Sequence, residues 1–151
     1  MAKQDIINLN KQLTKNFKLR EFLISKFYNE DQQAKVLSSV TPEVLNNIQE
    51  LAENLQVLRD VVKEPIKINI AFRPKWWELE RGRSGRSQHV FGRAADIKVS
   101  NVNPFHLYLI VKRLISKGKM KQGGIGLYDT FLHYDIRGHK ARWDYSKKYD
   151  L

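Results

Sequence analysis

The apolar residues change period around Pro65, and that change limits the kinds of fold open to the chain. Val44, Leu45, Ile48, Leu51, Leu55, Leu58, Val61 and Val62 recur at helical spacing over about five turns, the buried stripe of a long helix. Thr41-Pro42-Glu43 starts it, with a threonine cap, proline in the first helical position and an acid in the first turn. Pro65 ends it, and Ile66 to Phe72, IKINIAF, alternates as a strand does. Upstream, Asn16 to Lys26 reads as a short amphipathic helix that buries Phe17, Phe22 and Leu23, and the first dozen residues as an arm or short helix. Downstream, AADIKV (94–99) reads as a strand and Asn103-Pro104 opens a helix with Phe105, Leu109, Ile110 and Leu114 apolar. GGIGLY and FLHYDIR read as two strands joined by Asp129-Thr130. Helices first, then strands with one helix among them, is an α+β pattern, here a single domain over 1–151.

Cysteine is absent, which excludes disulfides, a thiol nucleophile and a cysteine-ligated metal. Any metal site must come from His, Asp and Glu. No run reaches the length of a membrane span, and the N-terminal MAKQDIINLNKQ lacks the apolar core of a secretory signal, so synthesis in the cytoplasm is expected. The net charge of +11 lies entirely in the second part of the chain: residues 1–60 carry 8 basic and 8 acidic side chains. That half faces an anionic partner (nucleic acid, a cell wall rich in carboxylate and phosphate, or an acidic protein) or is a solvated basic surface. Arg73, Lys75, Arg81, Arg83, Arg86 and Arg93 lie in or near a long polar loop, 73–88, that also holds Trp76 and Trp77. A loop of this length usually has a function. Its tryptophans could stack on sugars or bases, anchor a partner, or pack the loop down.

Within SQHVFGRAADI, His89 and Asp96 stand seven residues apart, with Gly92 able to turn the chain between them and Ala94-Ala95 allowing close backbone approach. Alternation along FLHYDIR puts Leu132, Tyr134 and Ile136 on a core face and Phe131, His133 and Asp135 on the other, where they either do chemistry or face water. His89, Asp96 and His133 together make the three-ligand set of a cysteine-free zinc site with an open fourth position.

Ser87, His89, Gly92, Ala94 and Asp96, followed by His133 and Asp135 in Asp-Ile-Arg-Gly, resemble the signature of the zinc D-Ala-D-Ala carboxypeptidases and related bacterial and phage cell-wall peptidases. Those enzymes share a fold with the hedgehog signalling domain. LTKNFKLREFL is similar to their N-terminal segment, AFRP to their Ser-Gly-Tyr-Arg, and GGIGLY to the strand before their second histidine, so the resemblance spans roughly residues 13–143. It implies an antiparallel sheet carrying Zn2+ on His89, Asp96 and His133, packed against N-terminal helices. It also implies hydrolysis of a peptide bond in peptidoglycan, as a D,D-carboxypeptidase or endopeptidase.

Arg73 would then hold a substrate carboxylate or the developing oxyanion. Ser87, Gln88, Trp76, Trp77 and Tyr128 are candidate substrate-binding residues, and Trp143 is cleft lining or core. Many members carry Glu or His just before the second zinc histidine as general base; here those positions are Thr130 and Phe131. Asp135 is the first choice for the base and Asp129 the second. His106 and His139 are expected on a helix surface and in a loop.

Three functions compete. The first is an active, phage-encoded zinc peptidase, endolysin-like or virion-associated, acting at the cell wall. The second is a structural virion protein that keeps the fold, with or without the metal, but binds virion proteins or DNA through the basic loop. The third is a non-catalytic nucleic-acid-binding domain. The intact ligand set favours the first.

Overall fold

The structure, a computed structural model, describes residues 7–151. The arm or helix expected over 1–12 lies partly outside them. Residues 7–12 form no helix; Gln12 instead bridges Lys18 as a scrap of antiparallel strand. That bridge, with Leu19 N–H donating to Lys11 O, shortens the helix expected over 16–26 to α1 (Arg20–Leu23). Phe17, Phe22 and Leu23 are buried as expected.

Two helices were not foreseen in the sequence. α2 (Glu30–Ser38) starts at a capping box, in which Asn29 accepts from Gln32 N–H and Gln32 accepts from Asn29 N–H. α4 (Lys75–Glu80) lies inside the segment read as a loop. α3 (Pro42–Val62) begins as expected, with Thr41 Oγ1 accepting from Val44 N–H at 3.1 Å, and it buries Val44, Ile48, Leu51, Leu55 and Leu58. α5 (Pro104–Ser116) is capped by Asn103, but its buried stripe is Leu107, Tyr108, Val111, Leu114 and Ile115. Leu109, expected inside, is exposed, because the helix turns its 107/111/114 side toward the sheet.

The sheet contains β1 (Ile66–Ile70), β2 (Ala94–Val99), β3 (Gly124–Leu127), β4 (Leu132–Asp135) and β5 (Ala141–Asp144), in the order β1-β2-β4-β3-β5. The strands that carry the candidate site pair antiparallel as expected; β5, a further edge strand absent from the sequence reading, pairs parallel to β3. The other pairs are antiparallel.

One face of the sheet presents Ala95, Ile97, Ile125, Leu127, Leu132 and Tyr134, all fully buried in the core with α3 and α5. On the opposite face, strand register lines up one row: Asp96 beside His133, His133 beside Gly126, Gly126 beside Trp143. On this second face Asp135 is completely buried and His133 and Asp96 are nearly so. No helix among the described residues is long and apolar enough to cross a membrane.

Candidate metal centre

His89 sits on a 3₁₀ turn, Gln88–Phe91, pinned to the first turns of α3. Gly92 closes that turn at φ +74°, and a Cβ there would also meet the Val44 carbonyl at 3.0 Å, so glycine is required on both counts. Asn47 Nδ2 donates to Phe91 O at 2.8 Å and Arg73 N–H to His89 O at 3.1 Å, fixing the turn against the end of β1.

The three expected ligands converge. His89 Nε2 lies 3.3 Å and His133 Nδ1 3.2 Å from Asp96 Oδ1. One ligand atom from each residue falls within 4.8 Å of the others, and all three side chains are buried.

The outward-facing nitrogens fix the tautomers. His89 Nδ1 is 2.7 Å from Ala71 O, a group that can only accept, so Nδ1 carries the hydrogen and Nε2 keeps its lone pair. His133 Nε2 is 2.7 Å from Asp135 Oδ2, also an acceptor, so in the neutral ring Nε2 carries the hydrogen and Nδ1 is the free nitrogen. Both lone pairs point toward Asp96. Two oriented neutral imidazoles and a carboxylate form a donor set suited to a divalent cation such as zinc.

Charge is arranged accordingly. Burial opposes ionisation of Asp96, but the adjoining imidazoles prevail and hold its pKa well below the carboxylate range. Burial lowers the pKa of His89. Burial also opposes protonation of His133, yet hydrogen bonds to Asp135 and Asp96 raise its pKa above the ordinary value.

Asp135 is not placed as a general base. Its carboxylate accepts from Gly124 N–H, Arg137 N–H, both arms of the Arg137 guanidinium and His133 Nε2, and it has no exposed surface. It stands behind His133, away from the space where a water would react, in the position of a residue that orients a ligand. Asp129, the second choice, does not line the cleft; it accepts from Lys147 and Lys148 N–H and ties down the C-terminal segment.

The ligands form the floor of a cleft of about 600 Å³. One side carries Arg73, Arg83 and Arg86 with Ser87 and Gln88; the other carries Tyr128, Phe131, Trp143 and Tyr145, with Arg137 beside them. Among the described residues lining it, Asp96 is the only carboxylate. Tyr128 stacks on Phe131 with centroids 4.3 Å apart, and its hydroxyl accepts from Trp143 Nε1 at 3.1 Å.

Gln88 lines the cleft as expected, and its Oε1 is buried without a protein donor. Arg73 also lines it, held through Nε by Glu78 at 3.0 Å. Glu78, buried and accepting from the Ser87 hydroxyl as well, was missed in the sequence: nothing local marks a glutamate in a basic segment as a buried brace.

Ser87 therefore spends its hydroxyl proton on Glu78. Trp76 does not line the cleft; its Nε1 donates to Ser39 Oγ and Lys35 lies over its ring, so it packs α4 onto α2. Trp77 is buried edge-on against Tyr28, with Arg81 over its face at 3.7 Å, and only borders a neighbouring groove. The expectation that both tryptophans bind substrate in the metal cleft gives way to the packing reading. His106 and His139 are exposed, as expected.

A sheet face bearing a buried His-Asp-His cluster at the floor of an open cleft is a candidate centre for a divalent metal. The family model described as Peptidase M15 matches residues 15–135, most of the chain, and the chain belongs to that family of metallopeptidases. No curated protein matches it.

Proposed function

We propose that the chain is a zinc-dependent peptidase that hydrolyses a peptide bond of bacterial peptidoglycan. The observation that carries this reading is the His89/Asp96/His133 set, both outer imidazole nitrogens tied back, at the floor of a cleft walled by arginine. Zinc supplies Lewis-acid chemistry there, lowering the pKa of a water and polarising the scissile carbonyl.

The chain's own residues position the substrate. Glu78 engages Arg73 through Nε, which leaves the guanidinium NH groups for a substrate carboxylate or the developing oxyanion. The Tyr128 hydroxyl accepts from Trp143, so its proton is free to donate to a substrate carbonyl.

One observation favours a second reading, a phage structural protein that keeps the fold, with or without the metal, and lacks catalysis: among the described residues, no carboxylate other than Asp96 lines the cleft to take a proton. Digestion of purified peptidoglycan separates the two. The peptidase reading expects new amino groups that vanish on chelation, return with added zinc, and never appear with His133→Ala. A metal-loaded protein that releases none from any cell wall tested supports the structural reading.

A further inference from the structure

A second groove, of about 410 Å³, adjoins the metal cleft and shares Arg73, Arg83, Asp96 and Phe131 with it. Its floor is the continuation of the metal-bearing sheet face over β1 and β2. Lys98 lies two residues beyond Asp96 on β2 and so projects from the same face. In the register of β1 and β2, Lys98 stands directly opposite Lys67.

Like charges in a direct cross-strand pair destabilise a sheet. These two are exposed, and neither has an acidic partner among the described residues. Lys26 and the half-exposed Phe27 rise beside them from the segment after α1, and Asn69 completes the floor. A repulsive pair kept on the same face as the metal ligands, in a groove that opens into their cleft, is explained by an anionic ligand that relieves the repulsion.

The geometry points to this groove as a second subsite, which takes a carboxylate-bearing segment of the peptide whose scissile bond lies at the metal. The inference rests on the peptidase reading. An acidic peptide fits better than a nucleic acid because the groove shares its lining with the cleft and carries Phe27 and Phe131, suited to aliphatic side-chain stems. Arg73 and Arg83 stand where the two spaces meet and would engage the carboxylates nearest the metal.

The test is equilibrium binding, which needs no hydrolysis and so can fail or succeed independently of the peptidase reading. End-blocked tri-glutamate and tri-glutamine peptides are titrated into the zinc-loaded protein and into Lys67→Gln/Lys98→Gln. Removing a repulsive surface pair should leave the melting temperature unchanged or raised; if the double variant does not fold, Lys98→Gln alone serves. The expected result is tri-glutamate binding that weakens with salt and is about tenfold weaker in the variant, the combined worth of two exposed charge pairs, with tri-glutamine indifferent to the change. Equal binding of tri-glutamate to both proteins, or equal binding of the two peptides to wild type, overturns the inference. So does a variant that loses affinity for a duplex oligonucleotide while keeping it for tri-glutamate.

Discussion

His133 Nε2 donates to Asp135 Oδ2 across 2.7 Å, on the side of the ring facing away from Asp96. Asp135 is thereby placed to position a candidate metal ligand, and is anchored in turn by Arg137 and Gly124 N–H. Asp135→Asn should weaken metal affinity by about 10–100-fold, the usual worth of such an outer partner. Competition with a chromophoric chelator measures it. Undiminished affinity with abolished hydrolysis would return Asp135 to the role of base.

Glu78 holds Arg73 and Ser87 from a buried position. Glu78→Gln keeps the shape but removes the charge opposite Arg73, and losing one member of a buried pair costs about 3–5 kcal/mol. The expected outcome is a lowered melting temperature with zinc content intact, and a larger effect on KM than on kcat. An unchanged melting temperature would show that the pair does not brace the wall.

Gly126 is one of the close-approach glycines of the site. It lies beside both His133 and Trp143, and a Cβ there would overlap the Trp143 indole. Gly126→Ala should displace Trp143 from its place 4.9 Å from His133, with an overpacking cost of about 1–3 kcal/mol. Tryptophan fluorescence should shift toward an exposed ring; an unshifted spectrum contradicts the packing described.

Metal uptake should depend on pH in a defined order. In the metal-free chain the carboxylates beside His133 raise its pKa, whereas burial lowers that of His89. As pH falls, His133 is protonated first and its Nδ1 lone pair is lost, so affinity starts to fall above the ordinary histidine value of about 6.5, while His89 stays neutral to lower pH. Zinc dissociation constants measured from about pH 8 to about pH 5.5 should rise steadily as pH falls. A flat profile contradicts the assignment of His133 as ligand.

What the sequence discloses follows from how local each signal is. α3 and β2 were legible because a capped apolar stripe and an alternating run need only near neighbours. The candidate ligand set was legible because, without cysteine, residue type and the motif spacing single out His89, Asp96 and His133; the β2–β4 register that puts His133 beside Asp96 is a long-range pairing. α2 carries a local start signal in Asn29 and Gln32, but its single buried residue, Val36, gives it no apolar stripe to read. α4 and β5 had none, since Lys75–Glu80 is fixed by Trp77 against Tyr28 and by Glu78 against Arg73, and Ala141–Asp144 is only half-buried at a sheet edge. Alternation put Asp135 on the same face as His133, but could not tell that Arg137 and the strand edge seal it behind the ring.

The central claim is that His89, Asp96 and His133 hold one zinc ion. Elemental analysis of the protein purified without added metal, beside His89→Ala, tests it most directly. The account predicts one zinc per wild-type chain and none in the variant, whose circular dichroism stays that of a folded protein because α3 and the sheet keep their own core. A wild-type chain without zinc that takes none up tightly on addition, or a variant that binds as much as wild type, would contradict it.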